Sequence, residues 1–203
     1  MAVNRDKVLA ELREKLENRN MDPSVQAVLD QVADAQQANC HRVLFDCCHL
    51  TLSPESVIDL PKGLINIYAD YFFLECCSNP TTIDGITECG TLVNACTAQE
   101  VKAIGNINYV TSFNAPTFYN NGAADCNRTM NHTFSCASTL CVNHTLCYTT
   151  PDTVDPCPEF CNGNVLAFAY ISDVDYCNPS KAVVTISVIF ILPECENDIP
   201  VNN

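Results

Sequence analysis

Two cysteines stand side by side twice in this chain, in "DCC" at 46–48 and in "ECC" at 75–77, each within a run that reads as a strand. Successive strand side chains point to opposite faces of a sheet. Sequential Cα atoms are only ~3.8 Å apart, whereas a disulfide prefers ~5.5 Å. The two members of a pair therefore serve different partners. One can be inside the fold and the other outside it, bonded either in residues 120–163 or in another subunit.

The chain holds 15 cysteines: Cys40, Cys47, Cys48, Cys76, Cys77, Cys89, Cys96, Cys126, Cys136, Cys141, Cys147, Cys157, Cys161, Cys177 and Cys195. An odd number leaves at least one for a bond between molecules or as a free thiol. Structural zinc sites use short Cys knuckles, and no CxxC occurs here. Cys40-His41 and Cys48-His49 are the nearest approach to a ligand pair. Disulfide bonding is the better reading, and neither a metal nor a cofactor is expected. With 203 residues, 47% of them hydrophobic, the chain does not need bridges merely to compensate for a small core.

After Cys40 the pattern is β. "GLINIYADYFFL" at 63–74 alternates, with Ile65, Ile67, Ala69, Tyr71 and Phe73 on one face and Asn66 and Asp70 on the other. "VVTISVIFIL" is rich in β-branched residues and sets Val184, Ile186, Val188, Phe190 and Leu192 on one face. It follows "NVLAFAYISDVDYC" across "NPSK", which predicts an antiparallel hairpin. "GNINYVTSF" at 105–113 is a further strand. Roughly six to eight strands predict a mainly β fold, an antiparallel sandwich or jelly roll. Residues 120–163, rich in Asn, Thr, Pro and Cys, read as a disulfide-stapled excursion from that sheet.

Residues 1–39 contain no cysteine and read as an N-terminal helical hairpin, set apart from a cysteine-rich β-domain over 40–203. Asn4 is a possible N-cap, and Val8, Leu9, Leu12 and Leu16 form a narrow stripe. After "NRNMDPS", Asp22 and Pro23 restart a helix with Val25, Val28, Leu29 and Val32 on one face. The hairpin packs either on its own domain or, as an arm, on a neighbouring subunit. Its thin stripes make it marginal in isolation.

The net charge of −14, with only 10 Lys and Arg, makes nucleic acid and anionic membrane surfaces poor partners. The longest apolar run, 182–192, has 11 residues, well short of a membrane span. The first 20 residues are polar from Arg5 onward and show no signal-peptide pattern. The cysteines nevertheless ask for an oxidising setting. Either the chain is a mature form, or it is oxidised after release or assembly.

Catalysis is not expected. "NHTFSC" and "VNHTLC" set His132 and His144 near cysteines, and His41 and His49 adjoin others, but no motif of a known hydrolase, nucleotide-binding loop or metalloprotease occurs. Asp173 and Asp175 lack the spacing and glycine of a calcium loop and read as a solvated turn. Asn127, Asn131 and Asn143 begin glycosylation sequons, all within the Cys-rich stretch. Their number is what composition alone would give.

In "DCC", "ECC", the missing signal peptide and the β-rich body, the chain resembles the cysteine-rich structural proteins of bacterial spore coats, exosporia and spore appendages. The resemblance covers residues 40–195 in style and transfers no single residue's role. It implies a protein made inside a mother cell and cross-linked into insoluble arrays. The expectation is therefore a structural protein that polymerises with copies of itself into a disulfide-locked filament or layer at an extracellular or spore surface. The alternatives are a secreted, glycosylated binding module or ectodomain, whose residues 120–163 carry recognition, and a viral capsid or tail component.

Overall fold

The computed structural model describes residues 22–37, 42–52, 60–86, 92–120, 127–160, 163–178 and 181–195. A helix, α1 (Pro23–Gln37), precedes seven strands. These are β1 (Val43–Leu52), β2 (Leu64–Asp70), β3 (Leu74–Ile86), β4 (Leu92–Asn120), β5 (Asn127–Thr149), β6 (Leu166–Asn178) and β7 (Lys181–Ile191). All pair antiparallel in one sheet, in the order β1-β7-β6-β2-β4-β5, with β3 following β2 along the same edge of β4. The mainly antiparallel β class holds. One curled sheet takes the place of the two stacked sheets of a sandwich or jelly roll.

The curl has a local origin. β2 joins β6 only through Leu64 and Ile65, and joins β4 through Asn66 to Asp70. The sheet turns at this narrow junction. β1, β7 and β6 form one wall, and β3, β4 and β5 the other. One core fills the concavity between them, drawing Val184, Ile186, Val188 and Phe190 from β7 together with Val101, Ala103, Ile107 and Tyr109 from β4. Phe190 meets Tyr71 and Tyr109 edge-on, with ring centroids 6.5 and 5.6 Å apart.

The apolar face read for β7, Val184 to Leu192, is wholly buried. Its other face is partly buried too, because α1 lies across it. Val25, Val28 and Val32 of the helix pack on Val43, Tyr170, Ile189 and Ile191. That double burial is why the run is apolar at nearly every position. α1 starts where the sequence places it: the Ser24 amide donates to Asp22 Oδ1 at 2.9 Å, with Pro23 following the cap. The Ser24 hydroxyl, which donates to the same oxygen, and then this amide bond hold the Asp22 carboxyl below its usual range. The second half of the expected hairpin therefore packs on its own sheet. The first half, with Asn4, Val8, Leu9, Leu12 and Leu16, lies outside the described residues.

Two sequence expectations are corrected. Residues 127–149 of the supposed excursion are a full sheet strand, β5, registered against β4 from Gln99↔Thr149 to Asn120↔Asn127. Its Asn- and Thr-rich composition reflects one solvent-facing side. Thr133, Ser135, Ala137, Thr139 and Cys141 point out, while Phe134, Cys136, Leu140 and Val142 point in. Among the described residues of that stretch, those between β5 and β6 are irregular, and the Cys76–Cys157 bridge ties them down.

Phe73 is the second. Ile65, Ile67, Ala69 and Tyr71 face the core as expected, but Phe73 is 55% exposed. Between Asp70↔Asn108 and Leu74↔Gly105, three residues stand opposite two. This bulge turns Phe72 and Phe73 outward. It is closed by the Leu74 amide donating to the Tyr71 carbonyl at 2.9 Å and the Asn106 amide to the Phe73 carbonyl at 3.1 Å. Gly105 allows it, with φ at +130° and no side chain to overlap the Phe73 carbonyl.

At the mouth of the sheet, Arg42 clamps the end of β7. Its Nη1 donates to the Leu192 carbonyl at 3.2 Å and its Nη2 to Glu194 Oε1 at 2.6 Å, while the Leu192 amide donates to the Arg42 carbonyl. No helix among the described residues is long and apolar enough to cross a membrane.

Candidate functional site

The site is the set of free thiols among the described residues. On β1, Leu44, Cys48, Leu50 and Leu52 face the core, so Cys47 and His49 face outward. Cys48 is buried and bonded to Cys136 of β5, and its sulfur lies 3.6 Å from Thr111 Oγ1. Cys47 is an exposed free thiol. The second pair divides the same way. Cys76 packs against the core and bonds to Cys157, and Cys77 is free on the outer face opposite Lys102. Neither pair is bonded within itself, as the geometry of neighbouring strand residues requires. A third bridge joins Cys147 of β5 to Cys195 beyond β7. The third free thiol, Cys141, is exposed on β5 opposite Asn106.

Cys40, Cys89, Cys126 and Cys161 lie outside the described residues, and Cys96 and Cys177 fall within β4 and β6. Three bridges spanning 88, 81 and 48 residues accord with an oxidising environment.

The surroundings of Cys47 bear on its chemistry. Its sulfur is 3.8 Å from His49 Nε2, and His49 Nδ1 is 3.2 Å from Thr185 Oγ1. This thiol–imidazole pair, oriented by a third group, has the outline of a nucleophilic site. Its electrostatics oppose that use. Partial burial, and then the Asp46 carboxylate beside it, push the thiol above its ordinary range. At neutral pH it stays protonated, which suits slow oxidation better than turnover.

Sequence reading did not pair Cys47 with His49, although the alternation in "DCCH" places them on one face. Cys48 and His49, the pair set aside as zinc ligands in favour of disulfide bonding, point to opposite faces, and Cys48 is bonded. Cys136 and Cys147, near His132 and His144 in sequence, are bonded as well. Asp173 and Asp175 lie on β6 opposite Thr185 and Val183, not in a turn. Among the described residues no three His, Cys, Asp or Glu side chains cluster as a metal site would require. Of the sequon residues, Asn131 and Asn143 are exposed on β5, and Asn127 begins that strand.

Lys102, beside Cys77, is committed to Glu100 at 2.9 Å, and this contact raises its pKa. Glu100 also accepts a bond from the Thr145 hydroxyl at 2.7 Å. The outer face thus presents free thiols among already paired polar groups. Comparison with family models, curated proteins and solved structures gives no match.

Proposed function

We propose that the protein is a structural subunit that assembles with copies of itself into a filament or layer, at an extracellular or spore surface, and is locked by disulfides between subunits. One observation carries this reading: each adjacent pair spends one cysteine on the core and leaves the other on the outer face. A chain needing bridges only for its own stability has no use for the outward member. Exposed thiols are a liability that substitution by serine would remove at little cost to packing. Joining two such thiols from neighbouring copies forms one S–S bond and releases two protons and two electrons. The electrons pass to a small-molecule disulfide or to dioxygen.

The experiment compares wild type with the Cys47→Ser/Cys77→Ser/Cys141→Ser variant after oxidation, using non-reducing electrophoresis and mass spectrometry of the linked peptides. Wild type is expected to give ladders of covalent oligomers carrying Cys47, Cys77 or Cys141 in bonds between chains, and the variant none. Bonds confined within single chains would overturn the reading, as would equal ladders from both proteins.

A further inference from the structure

The outer face of β2, β4 and β5 carries aromatic surface that the core does not use. Tyr68, Phe72 and Phe73 are 74, 80 and 55% exposed. Tyr68 stands opposite Val110, and Val110 opposite Ala137. These three border an open depression of about 440 Å³, shared with Asp70, Asn108 and Thr139. The polar groups there are already engaged. Asn108 Oδ1 accepts from the Thr139 hydroxyl at 2.8 Å, and Asp70 Oδ1 from the Phe72 amide at 3.0 Å. Phe72 and Phe73 stack edge-on at 5.1 Å at the bulge that Gly105 permits. Among the described residues nothing covers this apolar surface.

The sequence supplies a segment of matching character. Residues 4–19 carry the stripe Val8, Leu9, Leu12 and Leu16. Residues 1–21 hold Arg5, Lys7, Arg13, Lys15 and Arg19, five of the chain's ten cations, against only four of its 24 carboxylates. The rest of the chain is strongly anionic, and Asp70 and Glu75 lie on the aromatic side of the sheet. As a helix, 16 residues span ~24 Å. Outer β2 with its bulge, Leu64 to Phe73, spans ~30 Å. The point of entry fits as well. Asp22 sits so close to Gly63 that an added Cβ would lie 3.1 Å from its Cγ. Asp22, the first described residue, thus sits at the head of β2.

We infer that residues 4–19 of a second copy lie across the Tyr68/Phe72/Phe73 face and hold subunits together before any thiol is oxidised. The inference rests on the self-assembly reading and names its contact surface. Two anionic bodies repel. The striped segment carries one net positive charge, so it is the part of one copy that the anionic body of another does not repel. Because Asp22 stands beside Gly63 in every copy, exchange of the residues before it between copies costs little.

The test uses full-length chains in the Cys47→Ser/Cys77→Ser/Cys141→Ser background, so that loss of covalent locking cannot be mistaken for loss of docking. One variant adds Phe72→Ser and Phe73→Ser, and another adds Leu9→Asp, Leu12→Asp and Leu16→Asp. Association is followed by light scattering across a concentration series, with circular dichroism as the folding control. Each variant alone is expected to associate at least ~10-fold more weakly than the background protein. Mixed in equal amounts, they are expected to regain a one-to-one complex, because each supplies what the other lacks. If the aromatic variant misfolds, Tyr68→Ser/Phe72→Ser replaces it. A monomeric background protein, association unchanged in both variants, or a mixture that recovers nothing would overturn the inference.

Discussion

Cys48 on β1 and Cys136 on β5 sit on strands at opposite ends of the sheet's hydrogen-bonded order, yet their Cα atoms are 6.3 Å apart. The curl brings the two end strands face to face, and a covalent bond joins them where no ladder does. Tyr109 of β4 reinforces the closure, its hydroxyl donating to Asp46 Oδ2 at 2.7 Å.

Removing that bridge frees a loop of 88 residues in the unfolded chain. The chain-entropy account makes such a bridge worth about 4.5 kcal/mol at most. The Cys48→Ala/Cys136→Ala variant is expected to lose between about 2 kcal/mol and that ceiling in urea unfolding, while Cys47→Ser stays within ~0.5 kcal/mol of wild type.

Gly105→Ala is expected to destabilise the protein by about 2 kcal/mol or more. The new methyl group would overlap the Phe73 carbonyl, and the φ of +130° disfavours any side chain. Thermal unfolding measures the loss. A midpoint equal to wild type would mean that the bulge relaxes freely.

Ile186 is wholly buried, registered between Cys48 on β1 and Ile171 on β6. Ile186→Asp places an unpartnered carboxylate there, at a cost of several kcal/mol against a total stability of about 5–15. The variant is expected to be unfolded or insoluble at neutral pH. A native circular dichroism spectrum would contradict this.

Burial pushes the Tyr71 hydroxyl up to about 12, from 10 in an unfolded chain. Tyr109 is raised in the same direction, by burial and then by its bond to Asp46. A raised folded value means stability that is complete below pH 10 and falls as pH climbs from 10 towards 12, where the unfolded chain ionises first. Urea midpoints measured across that window should decline, and Tyr71→Phe should flatten the decline.

The apolar runs were the most legible part of the fold. β7 and the inner face of β2 follow from alternation because burial there is continuous. The helix start at Asp22–Pro23 follows from a cap and a stripe. β5 was illegible as a strand because its outward side chains are Asn, Thr and Ser, the residues that also fill loops. Its pairing with β4 is a tertiary fact. Phe73 was misplaced because a bulge depends on a glycine more than thirty residues away. For the thiols, alternation foretold that each pair divides. Which member faces inward depended on partners such as Cys136 and Cys157, and no spacing rule supplies those.

β1 pairs along its whole length with β7, from Val43↔Ile191 to Leu52↔Ala182. On a ribosome, β1 emerges about 140 residues before that partner. Until β7 arrives, α1 has no Ile189 or Ile191 to cover, Cys48 has no sheet to fix its direction, and most of the other cysteines are already present. Pairings this distant in sequence fold slowly. Oxidation during synthesis would trap whichever thiols met first. With this topology, the three bridges form without trapped mispairings when the sheet closes by hydrogen bonds and packing before its cysteines are oxidised.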